Sequence, residues 1–107
     1  GIEISTSIFD KDVSELSAIE FTLTNLSDED VNLKVIFESG NETYTYGNIV
    51  VGAGASQKVS LANLNLISSA ALKGNGKLLL SVDNIRNDGS LYSDRWIRVS
   101  DIYYTEA

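Results

Sequence analysis

The sequence predicts an all-β fold, an antiparallel two-sheet β-sandwich formed by a single domain over residues 1–107. Apolar and polar residues alternate with a period of two in most segments, which is typical of strands with one buried face. Clusters of Gly, Asn, Asp and Ser separate these segments and indicate tight turns. We count about seven or eight short strands at regular spacing, a number that favours a sandwich of two packed sheets.

The first long strands carry the clearest alternation. The segment SAIEFTLTN (17–25) places Ile19 and Phe21 on one face, and VNLKVIFE (31–38) alternates in the same way. The short acidic turn LSDED (26–30) connects the two segments. Because a short turn between two alternating strands is typical of a hairpin, we expect these strands to pair with each other.

The rest of the chain continues the pattern of strand and turn. The turn signals SGN (39–41) and GAGAS (52–56) precede the strand segments ETYTYGNIVV and QKVSLANL. One segment, NLISSAALKGNG (65–76), has helical character around Ser68–Leu72 and ends at glycines. The apolar strand KLLLSVDNI, the turn RNDGS (86–90) and the strand RWIRVSDIYYT complete the order.

Composition limits the chemistry that the chain can perform. It contains no cysteine and no histidine, which excludes thiolate nucleophiles, the usual serine triad, zinc fingers and iron–sulfur sites. The net charge of −7 opposes binding to nucleic-acid phosphates and anionic membranes. No apolar run reaches the length of a membrane span, and no pair of convergent acids marks a glycosidase. We therefore expect no enzyme activity, no nucleic-acid partner and no membrane insertion.

The last strand leaves open which of its faces is buried. In DRWIRVSDIYY (94–104), Ile97 and Val99 share one face, whereas Trp96 and Ile102 share the other. If Ile97 and Val99 point inward, Trp96 is exposed. If Ile102 points inward, Trp96 is buried with it unless a β-bulge intervenes.

The order of four segments resembles the jelly-roll carbohydrate-binding modules of secreted bacterial glycoside-degrading enzymes. These segments are ELSAIEFTLTNLSDEDVNLKVIF, IVVGAGASQKVSLANL, KLLLSVDN and RWIRVSDIYY, and together they span nearly the whole chain. The resemblance implies a sandwich of jelly-roll type, an accessory domain of a secreted or cell-surface protein, and polysaccharide as the ligand. An immunoglobulin-like sandwich is the alternative fold, because such spacer domains share the hairpins and the glycine turn.

The same resemblance implies calcium as a structural cofactor. Many of these modules hold the ion with an acidic residue near the start of the chain and another in the closing strand. Glu3 and Asp101 stand at the matching places in this sequence. The chain departs from the family at Ser100, which occupies the place of the first of two usual aspartates.

Five side chains are candidates for binding sugar, because flat aromatic faces and a few polar groups recognise pyranose rings. Trp96 and Arg98 share one face of the last strand, roughly 7 Å apart along it. Tyr44 and Tyr46 share one face of their strand, and Tyr92 lies in a loop. The structural alternative is that Trp96 caps the edge of the core and that the strand tyrosines pack as half-buried rings.

These observations lead to one functional hypothesis and one alternative. The hypothesis is a non-catalytic polysaccharide-binding module that targets an attached enzyme to its substrate. The alternative is a structural spacer with no ligand of its own, whose aromatic side chains are buried or face neighbouring domains. Solvent exposure of the Trp96 side chain separates the two interpretations.

Overall fold

The computed structural model describes residues 2–40, 42–63, 76–82 and 96–107. Within these ranges the chain forms seven β-strands: β1 (Ile2–Ser5), β2 (Leu16–Asn25), β3 (Val31–Ser39), β4 (Glu42–Val51), β5 (Ser56–Ala62), β6 (Gly76–Val82) and β7 (Ile97–Glu106). Two short 3₁₀ turns, Thr6–Phe9 and Val13–Glu15, lie between β1 and β2. The predicted helix around Ser68–Leu72 and the predicted turn at 86–90 lie outside the described residues.

The strands form two antiparallel sheets, which confirms the predicted two-sheet β-sandwich. One sheet has the strand order β1-β6-β3-β4 and the other has the order β5-β2-β7. The first strand, β1, pairs with β6, and the last strand, β7, pairs with β2, so the two ends of the chain lie at edges of opposite sheets. In the described part of the chain, no helix is long and apolar enough to cross a membrane.

The predicted hairpin between the segments 17–25 and 31–38 is wrong. Strands β2 and β3 lie in different sheets, and the acidic turn carries the chain from one sheet to the other. Alternation cannot distinguish two strands that pair side by side from two strands that face each other across a core, because both arrangements bury one face. The next connection does form a hairpin: Ser39 is opposite Glu42, and Gly40, which follows Ser39, has a φ of 60°.

The buried side chain of Asn25 stabilises the acidic turn that connects the two sheets. The Asn25 side-chain amide donates hydrogen bonds to the carbonyl oxygens of Glu29 at 2.7 Å and Val51 at 3.0 Å. The amide and hydroxyl of Ser27 donate to Asn25 Oδ1 at 3.0 and 2.7 Å. These hydrogen bonds replace the bonds to water that the buried polar groups lose. The polar side chain of Asn25 is therefore stable at the inward-facing end of β2.

The core lies between the two sheets and consists of their inward-facing apolar side chains. Phe21 from β2 and Phe37 from β3 are the largest fully buried side chains. The alternation in β2 and β3 places these residues as the sequence predicted. The buried apolar residues of the core are Ile4, Val13, Leu16, Ile19, Phe21, Leu23, Val31, Leu33, Val35, Phe37, Val51, Val59, Leu61, Leu78, Leu80 and Ile97.

Candidate functional site

A β-bulge in β7 settles which face of the last strand is buried. Glu20 of β2 is opposite Tyr103 and Thr22 is opposite Ser100, so Phe21 alone is opposite both Asp101 and Ile102. The backbone of Asp101 has a φ of 51°, in the left-handed region. The extra residue inverts the alternation of side chains at this point.

The last strand therefore turns Ile97 and Val99 toward the core before the bulge and Ile102 toward it after the bulge, so each of the two alternatives is correct for one part of the strand. Before the bulge, Ile97 is buried and Val99 packs against the core. After it, Ile102 packs against the same core. Arg98 before the bulge and Tyr103 after it both belong to the outer face, because their partners Thr24 and Glu20 alternate with the buried residues of β2.

The outer face of the sheet β5-β2-β7, called the three-stranded face below, is a polar surface built from rows of side chains across the strands. Each row joins residues that are opposite each other in the two strand pairs. Three successive rows are Ser56, Thr24 and Arg98; Lys58, Thr22 and Ser100; and Ser60, Glu20 and Tyr103.

A depression of about 270 Å³ lies on this face beside the bulge. Side chains of two acids, one amine and one phenol line it: Glu20, Lys58, Asp101 and Tyr103. Tyr103 is 61% exposed, which makes it the most exposed aromatic side chain among the described residues. The bulge makes this arrangement, because it turns Tyr103 to the outer face, whereas strict alternation would place this ring on the same inner face as Ile97 and Val99.

The charged groups of the depression are available to a ligand. In the part of the chain that the structure describes, the side chains of Glu20, Lys58 and Asp101 form no hydrogen bond or ion pair with other residues. All three side chains are exposed. The depression therefore offers two carboxylate acceptors and one ammonium donor beside an aromatic ring.

The predicted pair of Trp96 and Arg98 is only partly exposed. Trp96 is half-buried immediately before β7, and its carbonyl oxygen accepts a hydrogen bond from the amide of Leu26 at 2.6 Å. Arg98 is exposed on the three-stranded face. Tyr92, the third predicted position in this part of the chain, lies outside the described residues.

The structure brings Tyr44 and Tyr46 together at a second place, the cleft between β4 and the end of β5. Both rings are half-buried and pack against the core. With Thr45, Ala62 and Asn63 they line a cleft of about 290 Å³. The Tyr46 hydroxyl donates to the Ala62 carbonyl oxygen at 3.4 Å, and burial raises the pKa of the Tyr46 phenol.

A second bulge lies in β4, and it lets Tyr44 and Ile49 both pack against the core although alternation alone would place them on opposite faces. Ile36 is opposite Thr45, whereas Val35 is opposite Gly47, so Tyr46 is the extra residue. Gly47 has a φ of 114°. The sequence predicted correctly that Tyr44 and Tyr46 lie on the side of the strand away from Thr45, which is exposed.

The two predicted calcium ligands do not converge. Glu3 lies between the inward residues Ile2 and Ile4, on the outer face of the four-stranded sheet. Asp101 lies on the outer face of the other sheet. Calcium takes six to eight oxygen ligands from converging groups, so these two carboxylates do not fit one ion. No group of three or more His, Cys, Asp or Glu side chains among the described residues is placed to hold a metal ion.

Sequence reasoning missed Glu20, Lys58 and Tyr103 as members of one surface. Strict alternation assigns Tyr103 to the same face as Ile97 and Val99, because a period of two admits no extra residue. The one indication of the bulge in the sequence was Asp101, an acidic residue that separates the apolar residues Ile97 and Val99 from Ile102. Such a residue is compatible with a bulge but does not identify one, since only the pairing with β2 reveals it.

No protein-family model, curated protein or solved structure matches the chain. A functional proposal therefore rests only on the geometry of the three-stranded face and of the cleft lined by Tyr44 and Tyr46.

Proposed function

We propose that the protein is a non-catalytic polysaccharide-binding module whose ligand lies on the three-stranded face. The observation that carries this proposal is the exposed ring of Tyr103 beside a depression with two unpartnered carboxylates and an ammonium group. An exposed aromatic ring has an energetic cost in water that a stacked ligand would relieve.

The chemistry of this surface matches a sugar more closely than other ligands. A pyranose unit has an apolar C–H face, which stacks on an aromatic ring, and hydroxyl groups that both donate and accept hydrogen bonds. The carboxylates of Glu20 and Asp101 accept from hydroxyl groups, and the Lys58 ammonium donates to them. Few polar groups around one aromatic contact are enough to orient such a ligand.

The dimensions of the face favour a chain of sugars over a single ring. From Arg98 to Tyr103 the polar groups extend along β7 for roughly 15 Å at the standard strand rise. The rows continue across β2 to Lys58 and Ser60 of β5. A polysaccharide can contact several of these groups at once, and repeated weak contacts give retention without one deep pocket.

The exposure of the acids argues against hydrolysis of the bound sugar. Glycosidases need a carboxylic acid whose pKa is raised by desolvation, opposite a second carboxylate across a cleft. Glu20 and Asp101 are both exposed on an open sheet face. Binding without bond cleavage is the function that such a surface supports, and in a secreted or cell-surface protein it would hold an attached enzyme near its substrate.

A spacer domain is the second candidate, and a different surface favours it. Ile8 is 58% exposed, and the adjacent Phe9 contacts Tyr104 with ring centroids 4.8 Å apart. Exposed apolar side chains beside an aromatic pair are typical of a surface that a neighbouring domain covers. Under this alternative the three-stranded face has no ligand.

The deciding experiment is electrophoresis of the native protein through gels that contain single soluble polysaccharides, with calcium or with chelator. We expect retardation by at least one polymer and loss of retardation in Tyr103→Ala. Tyr104→Ala is the matched control, because it removes the neighbouring ring from the other side of β7. Circular dichroism checks that both variants fold.

Two results would reject this proposal. Wild-type mobility that no polysaccharide changes would favour the spacer function. Equal retention of the wild type and Tyr103→Ala would place any binding away from the three-stranded face, with the Tyr44 and Tyr46 cleft as the next surface to vary. A dependence of retention on chelator tests the predicted calcium separately.

A further inference from the structure

The residue at the centre of the β7 bulge has a side chain although its backbone has a positive φ. Asp101 has a φ of 51°, and a bulge with a left-handed residue at this position favours glycine, which has no Cβ to strain. The bulge of β4 does have glycine at its positive-φ position, Gly47. The aspartate in β7 therefore keeps a side chain where the backbone alone would favour none.

Interactions within the protein do not explain why this side chain is present. Asp and Asn tolerate the left-handed region partly because they can bond the nearby backbone. In the described residues, however, the Asp101 carboxylate makes no hydrogen bond or ion pair. Its side chain instead lines the depression with Glu20, Lys58 and Tyr103. A strained position that persists at the edge of a binding surface indicates a role in binding.

We propose that Asp101 contacts the ligand directly and that, with Glu20, it makes the surface selective for uncharged sugars over sugars that carry carboxylates. This inference rests on the proposed function. The depression holds two carboxylates against the single ammonium of Lys58, the Arg98 guanidinium lies outside it on the same face, and the chain carries a net charge of −7. Sugar hydroxyls donate to these carboxylates, whereas an anionic sugar is repelled by both of them.

The selectivity is tested with the native protein in gels, using two derivatives of each polymer that retards it. The carboxymethyl derivative adds negative charge, and the hydroxyethyl derivative adds a neutral group of similar size. We expect the hydroxyethyl polymer to retain the protein about tenfold more strongly, because two like charges a few ångströms apart at a protein surface repel each other by roughly this factor. Both gels are run at high and low salt, because salt screens the repulsion.

Three variants then assign the effect to Asp101. Asp101→Asn keeps the shape of the side chain and removes its charge, so it should weaken retention by the neutral polymer about tenfold and reduce the discrimination. Asp101→Gly should weaken retention as much, while the thermal unfolding midpoint stays equal to or above that of the wild type. Asp10→Gly is the matched control, because Asp10 has a φ of 53° at a place away from the three-stranded face. It should change neither retention nor selectivity.

The outcomes separate this inference from the proposed function. Retention by a neutral polymer that is lost in Tyr103→Ala but unchanged in Asp101→Asn would overturn the inference and leave the binding module intact. Equal retention by the carboxymethyl and hydroxyethyl derivatives would overturn the selectivity in the same way. A wild type that no polymer retards would overturn both proposals together.

Discussion

The bulges of β7 and β4 share one backbone feature, an extra residue in the strand, but they have different results. In β7 the extra residue turns Tyr103 out to solvent and Ile102 in to the core. In β4 it lets Tyr44 and Ile49 both pack against the core, which alternation alone would not allow. Each bulge includes one residue of positive φ, which is Asp101 in the first case and glycine in the second.

The identity of that residue indicates what each bulge is for. A Cβ at Gly47 would meet no atom within 4 Å, so glycine there meets a backbone requirement and leaves the space empty. At Asp101 the same kind of backbone carries a carboxylate beside the exposed ring of Tyr103. The bulge in β4 serves packing, and the bulge in β7 builds a surface.

Deletion of Asp101 should have the largest effect, because it removes the bulge and inverts every side chain that follows it in β7. Ile102 and Tyr104 would turn away from their packing partners, and Tyr103 would turn inward. Since each apolar side chain contributes about 1.5–3 kcal/mol when buried, we expect the free energy of unfolding to fall by about 3 kcal/mol. Urea denaturation followed by circular dichroism measures this change, and Asp101→Gly serves as the control that keeps the bulge. A wild-type midpoint in the deletion variant would show that the bulge does not set the side-chain faces.

Substitutions at the two positive-φ residues, Gly47 and Asp101, should have smaller and unequal effects on stability. Gly47→Ala places a Cβ on a backbone with a φ of 114°, which should destabilise the fold by about 1–3 kcal/mol through strain alone. Asp101→Gly should change stability little or increase it, because glycine adopts the left-handed region freely. Thermal unfolding of both variants at one pH checks the asymmetry. Equal destabilisation by the two changes would mean that the Asp101 side chain stabilises the folded chain, contrary to its proposed role as a ligand-binding group.

Removal of the Tyr46 hydroxyl should have the smallest effect at neutral pH. The bond from this hydroxyl to the Ala62 carbonyl is long, at 3.4 Å, so Tyr46→Phe should cost only about 0.5 kcal/mol. Chemical denaturation with closely spaced urea concentrations resolves a change of this size. A loss several times larger would indicate that the cleft depends on the hydroxyl.

The pH dependence of stability reports on the same ring. Burial raises the pKa of the Tyr46 phenol, so the folded state favours the protonated form. This preference contributes fully to the free energy of unfolding below the pKa of the phenol in the unfolded chain, which is about 10. The contribution is lost as the pH rises through the higher pKa of the phenol in the folded chain. The free energy of unfolding should therefore fall more steeply above a pH of about 10 in the wild type than in Tyr46→Phe. Parallel curves for the two proteins would contradict a buried phenol at this position.

Local pattern was sufficient for much of the fold and for part of the site. The alternation of β2 and β3 placed Phe21 and Phe37 in the core as predicted, because a side-chain period of two follows from strand geometry alone. Tyr44 and Tyr46 were correctly placed on one side of β4. The sugar-binding assignment of these residues, of Trp96 and of Arg98 stays a prediction.

Tertiary pairing decided the features that define the candidate surface. The sequence identifies the strands, their buried faces, the absence of cysteine and histidine chemistry, and the acidic charge, since each depends on residue type and spacing along one segment. Only the sheets determine that β2 and β3 face each other across the core and that Phe21 is opposite two residues of β7. Register depends on partners that are distant in sequence, and one extra residue reverses every face beyond it. For that reason Tyr103, Asp101, Glu20 and Lys58 become one surface only when the strands are assembled.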